Sequence, residues 1–73
     1  MAVDHFIRQW REIRGLSLRE VEMLGDEELT YASISRIERG EQPYSERTLK
    51  SLAQVYQVEP WVLLSVNPLK HQR

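Results

Sequence analysis

Residues 30–40, T-Y-A-S-I-S-R-I-E-R-G, constrain this chain more than any other segment. Thr30 can cap a helix by accepting a hydrogen bond from the backbone N–H three residues on, and Gly40 is the residue type that ends a helix in the left-handed conformation. Advancing about 100° per residue puts Ile34 and Ile37 on one side of that helix. Tyr31, Ala32, Ser35, Arg36 and Arg39 fall within an arc of roughly 140° on the other. Such a helix buries a narrow stripe and shows a broad polar face, so it has to lie on the outside of a larger packed unit. Glu38 falls at the border, beside the apolar stripe.

The rest of the chain supplies that unit from further helices, and nothing in it reads as a strand. Its 73 residues permit one domain over 1–73, with a core of about 6–68 and residues 69–73 expected as a frayed tail. Phe6, Ile7, Trp10 and Ile13 recur at helical spacing before Gly15 stops the first helix. The run S-L-R-E at 17–20 has capping-box form, with Ser17 and Glu20 each accepting from the other's backbone N–H. Leu18, Val21 and Leu24 follow as an apolar stripe, and Gly25 is expected as a left-handed terminator. Residues 26–29, D-E-E-L, turn the chain into the third helix. After a Pro-containing loop over 41–44, Ser45 caps a fourth helix carrying Leu49, Leu52, Ala53 and Tyr56 at i, i+3, i+4, i+7. Pro60 suits the first turn of a short fifth helix, which Asn67 and Pro68 end. The expected fold class is therefore all-α, a compact domain of five helices. Trp10, Tyr44 and Tyr56 read as packing residues.

Composition removes several function classes. There is no cysteine, so neither a disulfide nor a thiolate metal site is available. The longest apolar run, W-V-L-L at 61–64, is far too short to span a bilayer. The N-terminus lacks a basic segment followed by an apolar one, so a cytoplasmic location is expected. His5 and His71 lie near opposite ends, and no nucleophile–base set, Gly-rich phosphate loop or metal-ligand spacing occurs. No catalytic residue, metal or cofactor is expected. The net charge of −1 is unevenly spread: residues 1–29 carry four arginines against seven acids, and residues 30–73 carry six lysines or arginines against four acids. The sum argues against a nucleic-acid partner, because phosphate neutralisation favours a basic surface, but distribution matters more than the sum, and the basic half holds the 30–40 helix.

An α-helix fits the major groove of double-stranded DNA, where base edges present a readable pattern. Arg36 can be bidentate to a guanine. Tyr31 can donate to a base or a phosphate, or cover a thymine methyl, and Ala32 permits close approach. Thr30 and the free N–H groups of the first helical turn suit a phosphate, and Ser35 and Arg39 are expected as backbone contacts. Any surface helix with a few arginines shows a polar face too, so the wheel by itself leaves an ordinary solvated face open.

Four stretches carry a resemblance that bears on this choice. Residues 7–17 (I-R-Q-W-R-E-I-R-G-L-S) resemble the first helix of the lambda-repressor-like, Cro- or Xre-type helix-turn-helix family. Residues 34–40 (I-S-R-I-E-R-G) resemble its most recognisable signature, residues 45–52 its fourth helix, and residues 58–64 its fifth. The resemblance implies a five-helix domain whose second and third helices form the helix-turn-helix, with Tyr31, Ala32 and Arg36 at the base-reading positions. It implies that Arg11 pairs with Glu38 and also presents to a phosphate. It implies a sequence-specific transcriptional regulator of double-stranded DNA, a repressor acting as a homodimer on an inverted repeat, without a membrane partner. No effector domain is read in the sequence, so no small-molecule effector is expected. Trp61, beside Leu64 and Val66, suits either the dimer contact or a cap over the fourth helix. A protein-interaction module that keeps the fold with weak DNA affinity, or an antitoxin- or phage-type switch component, stands as the alternative.

Three features depart from the family pattern. The connection between the second and third helices is about two residues longer than usual. It carries three consecutive acids, Asp26, Glu27 and Glu28. Leu18 stands where a glutamine is common, and Glu22 stands where a small residue is usual.

Overall fold

Five α-helices follow one another in the computed structural model, which describes residues 3–71: α1 (Ile7–Ile13), α2 (Leu18–Leu24), α3 (Tyr31–Glu38), α4 (Glu46–Tyr56) and α5 (Pro60–Ser65). The short 3-10 turn Pro68–His71 comes after them. No strand occurs among the described residues. None of the helices is long and apolar enough to cross a membrane. Residues 72 and 73, the end of the expected tail, lie outside the described residues, as does the side chain of His71.

The longest helix, α4, is the spine. Its i, i+3, i+4, i+7 stripe of Leu49, Leu52, Ala53 and Tyr56 is buried as a unit. Ile7 from α1, Val21 from α2, Ile34 and Ile37 from α3, and Leu63 from α5 close over it. Each such side chain contributes about 1.5–3 kcal/mol by leaving water. Local capping sets the ends. Ser17 and Glu20 make the full capping box, Thr30 accepts from Ser33 N–H, and Ser45 accepts from Thr48 N–H. Gly15 and Gly40 take up φ of +70° and +76° after α1 and α3. Long-range hydrogen bonds then fix α1 against the C-terminal helices. Phe6 N–H donates to Leu63 C=O at 2.7 Å, Trp10 Nε1–H to Val66 C=O at 2.9 Å, and Arg14 Nε–H to Tyr56 C=O at 2.8 Å. Trp10 thus packs on the core with its one polar group satisfied. His5 is buried and meets Tyr44 edge-on, with ring centroids 5.8 Å apart. This holds the segment before α1 against the loop after α3.

The end of α2 departs from the sequence expectation in two ways. Leu24 is 63% exposed, and Leu29 takes the core position expected of it. Gly25 is extended rather than left-handed, at φ −88° and ψ −176°. Its glycine is needed for a different reason: a Cβ there would overlap the Leu29 side chain at Cδ1. The stripe of α2 is therefore continued by a residue from the following turn, which folds into the space a side chain at Gly25 would fill.

That turn carries the three acids. Asp26 accepts from Glu28 N–H at 3.0 Å and from the Ser51 hydroxyl at 3.0–3.1 Å. Glu28 lies 3.5 Å from Arg47 of α4, and Glu27 is exposed. Asp26 and Glu28 are thus moored to α4.

Candidate nucleic-acid interface

Helix α3 is held from its apolar side, and that leaves its polar side outward. Ile34 and Ile37 are essentially inaccessible, whereas Tyr31, Ala32, Arg36 and Arg39 are exposed and Ser35 is half-buried. Tyr31 is 41% exposed, and the Arg19 guanidinium of α2 lies 4.7 Å from its ring centroid, a cation–π contact. Arg19 therefore stands with Tyr31 at the entry of α3. No sequence pattern marks it, because the two residues meet only when α2 and α3 fold onto one another.

The first turn of α3 already has protein acceptors. Thr30 Oγ1 accepts from Ser33 N–H at 3.2 Å, and Glu22 Oε2 accepts from Tyr31 N–H at 3.0 Å. The carboxylate that takes the place of the family's usual small residue thus caps α3 across the turn. It also occupies one of the N–H groups expected to face a phosphate.

The far end of α3 is tied down by charge. Arg11 and Glu38 meet in a two-pronged pair, Nε to Oε2 at 2.7 Å and Nη2 to Oε1 at 3.1 Å. Arg11 Nη1 also donates to Leu16 C=O at 2.9 Å. The side chains are only 14% and 5% exposed. The hydrogen bond to Glu38 holds the Arg11 guanidinium above its ordinary pKa, against the opposing effect of burial. With all three nitrogens engaged inside the protein, Arg11 offers a phosphate no more than a narrow edge. Tyr56 is fully buried beside this pair, and its hydroxyl has no hydrogen-bond partner among the described residues. Burial, and then the charge of Glu38, pushes its pKa well up, so the phenol stays protonated.

On the exposed side, Arg39 pairs with Glu41 at 3.0 and 3.1 Å and also donates to Ser35 Oγ. Arg36 Nε–H donates to Gln42 Oε1 at 3.1 Å, and Gln42 Nε2 donates to Ser33 Oγ at 2.7 Å. Of the expected dimer residues, Trp61 is 61% exposed, which leaves it no role as a cap over α4. Leu64 and Val66 are half-buried, and the Val66 carbonyl is taken by Trp10. The structure does not bring these three into one exposed patch.

Three residues of this surface were not read from the sequence: Arg19, Glu22 and Gln42. Arg19 and Glu22 reach α3 from α2, and Gln42 reaches it from the loop that follows α3.

A family model described as helix-turn-helix matches residues 7–60, from the start of α1 to the first residue of α5. No curated protein matches the chain, and no solved structure does.

Proposed function

The chain belongs to the lambda-repressor-like helix-turn-helix family, which is DNA-binding and regulatory rather than enzymatic, and on that premise we propose that it is a sequence-specific transcriptional repressor that lays α3 in the major groove. Tyr31, Ala32 and Arg36 meet base edges, with Arg36 bidentate to a guanine. Thr30, Ser35 and Arg39 sit on phosphates, where they fix register and carry no sequence information. Arg11 is given the pair with Glu38 in place of a phosphate contact. A single domain reads few base pairs, so the protein acts as a homodimer on an inverted repeat with half-sites about one helical turn apart. Trp61, the most exposed apolar side chain of α5, is the proposed centre of that contact. Leu64 and Val66, both half-buried, are proposed at the margin of that contact.

One observation carries this reading. The residues on the outer face of α3 are free of the core, while the inner face is locked by Ile34, Ile37 and the Arg11–Glu38 pair. A rigidly mounted, exposed face of donors is what groove reading needs.

The test is selection of bound duplexes from a random pool, followed by footprinting and salt titration. Binding should weaken steeply with salt and show a two-fold symmetric site. Arg36→Ala should lose about 10–100-fold in discrimination at one base pair of each half-site. No binding at low salt would sink the proposal. It would favour a protein-interaction module, a reading supported by the Glu22 carboxylate at the entry of α3 and the net charge of −1.

A further inference from the structure

The loop after α3 reaches back along the helix to hold the arginine at the centre of its outer face. Gly40 makes this possible. Its left-handed φ of +76° reverses the chain, Gly40 N–H donates to Ile37 C=O at 3.1 Å, and Glu41 N–H donates to Arg36 C=O at 2.8 Å. These two bonds form the Schellman pattern, which folds the following residues onto the last turn of the helix. Gln42 is the second residue beyond that glycine. Its carboxamide bridges α3 lengthwise, accepting from Arg36 Nε–H and donating to Ser33 Oγ.

The chemistry allows only one orientation of that amide. A guanidinium is a donor with no acceptor, so the end facing Arg36 must be the oxygen. The nitrogen then faces Ser33, whose own N–H is capped by Thr30 and whose hydroxyl oxygen can accept. The N-cap of α3, two residues of the helix and one of the loop thus form a single run of hydrogen bonds, Thr30 to Ser33 to Gln42 to Arg36. With Nε occupied, Arg36 keeps its two terminal nitrogens for a ligand, and their parallel N–H groups match the O6 and N7 acceptors of guanine.

We infer that Gln42 is a positioning residue, which pre-sets the Arg36 fork for end-on recognition of a guanine. The inference rests on the base-reading role proposed for Arg36. An untethered exposed arginine has to lose rotamer freedom on binding, and a side chain already held in its bound rotamer loses less. Gln42 therefore acts through Arg36, at the one base pair that Arg36 reads.

Two measurements on the full chain test this. The first needs no DNA: in the free protein the Arg36 Nε–H signal should be shifted and slow to exchange with solvent, and Gln42→Ala should remove both properties. An Arg36 signal that is the same in parent and variant overturns the inference and leaves the reading of α3 intact. The second uses a selected duplex and its single-base-pair variants. Gln42→Ala should cut discrimination at the Arg36-dependent base pair by about 3–10-fold, spare the other positions, and add nothing in an Arg36→Ala background. A uniform loss on all duplexes, or an equal loss in the Arg36→Ala background, means that Gln42 makes its own contact with DNA, and the inference fails. If Arg36→Ala itself changes no preference, the reading of α3 fails, and the role of Gln42 with it.

Discussion

Two arginine–glutamate pairs lie at the C-terminal end of α3, and the two-pronged geometry is the same in both. Arg11 and Glu38 meet on the inner side, almost closed off from water, while Arg39 and Glu41 meet on the outer side, each more than half exposed. The contrast shows that the chemistry of a pair does not assign its role. Inside, neither charge can recover its hydration if the other leaves, so the pair is structural. Outside, water competes for both groups, so the pair is weak and either partner can change partners. Arg39 is therefore free to exchange Glu41 for a phosphate, and Arg11 is not.

The largest expected effect comes from breaking the inner pair. Glu38→Ala should lower stability by about 3–5 kcal/mol, because it strands the Arg11 charge. A loss of that size is a large share of the stability of a domain this small. Urea or thermal unfolding reads it directly. Combining Arg11→Met with Glu38→Leu should restore most of the loss, since it removes both charges together. A double variant as unstable as Glu38→Ala would show that the bonds themselves, rather than the stranded charge, hold α1 to α3. Glu41→Ala should leave the unfolding midpoint unchanged, and an equal drop there would erase the distinction between the pairs.

A smaller effect is expected on binding. Arg39→Ala should weaken DNA affinity alike for all sequences and reduce the slope of log affinity against log salt by about 1. Glu41→Ala should do the reverse and strengthen binding to all duplexes, because it releases Arg39. A change in preference at one base pair in either variant would move Arg39 from a phosphate to a base.

The smallest effect is in titration. Arg39, by hydrogen bond and then by charge, holds the Glu41 carboxyl below its ordinary pKa. A depressed folded value means that the pair's contribution is present above the ordinary carboxylate pKa and is lost as pH falls through the depressed one. NMR titration should show the low midpoint in the parent, a return towards the ordinary value in Arg39→Ala, and the same return at high salt. A midpoint unmoved by Arg39→Ala would mean that the two side chains do not pair in solution.

Much of the frame is legible in the sequence, because caps and stripes depend on neighbours within four residues. Ser17, Thr30 and Ser45 cap as their spacing requires, and the α4 stripe is buried in register. The two faces of α3 separate as its wheel implies. Gly25 shows where that legibility ends. Its presence marks the boundary of α2, but it serves the packing of Leu29 and not a left-handed turn. Leu24 looks like core by periodicity and is left 63% exposed, while Leu29 from the following turn is buried.

Beyond the helix-turn-helix pair, which the family resemblance implied, sequence alone determined the helices, their order and which side of α3 faces out. These follow from torsional preference, capping and hydrophobic period, all of which act locally along the chain. Beyond the Arg11–Glu38 pair, which the family resemblance implied, tertiary structure decided how the charges are used. It buried Arg11 and Glu38 together, turned Asp26 and Glu28 towards α4, set Glu22 on the N–H of Tyr31 and brought Gln42 to Arg36. Desolvation depends on everything packed around a group, and side chains far apart in sequence become partners only when the helices close on one another.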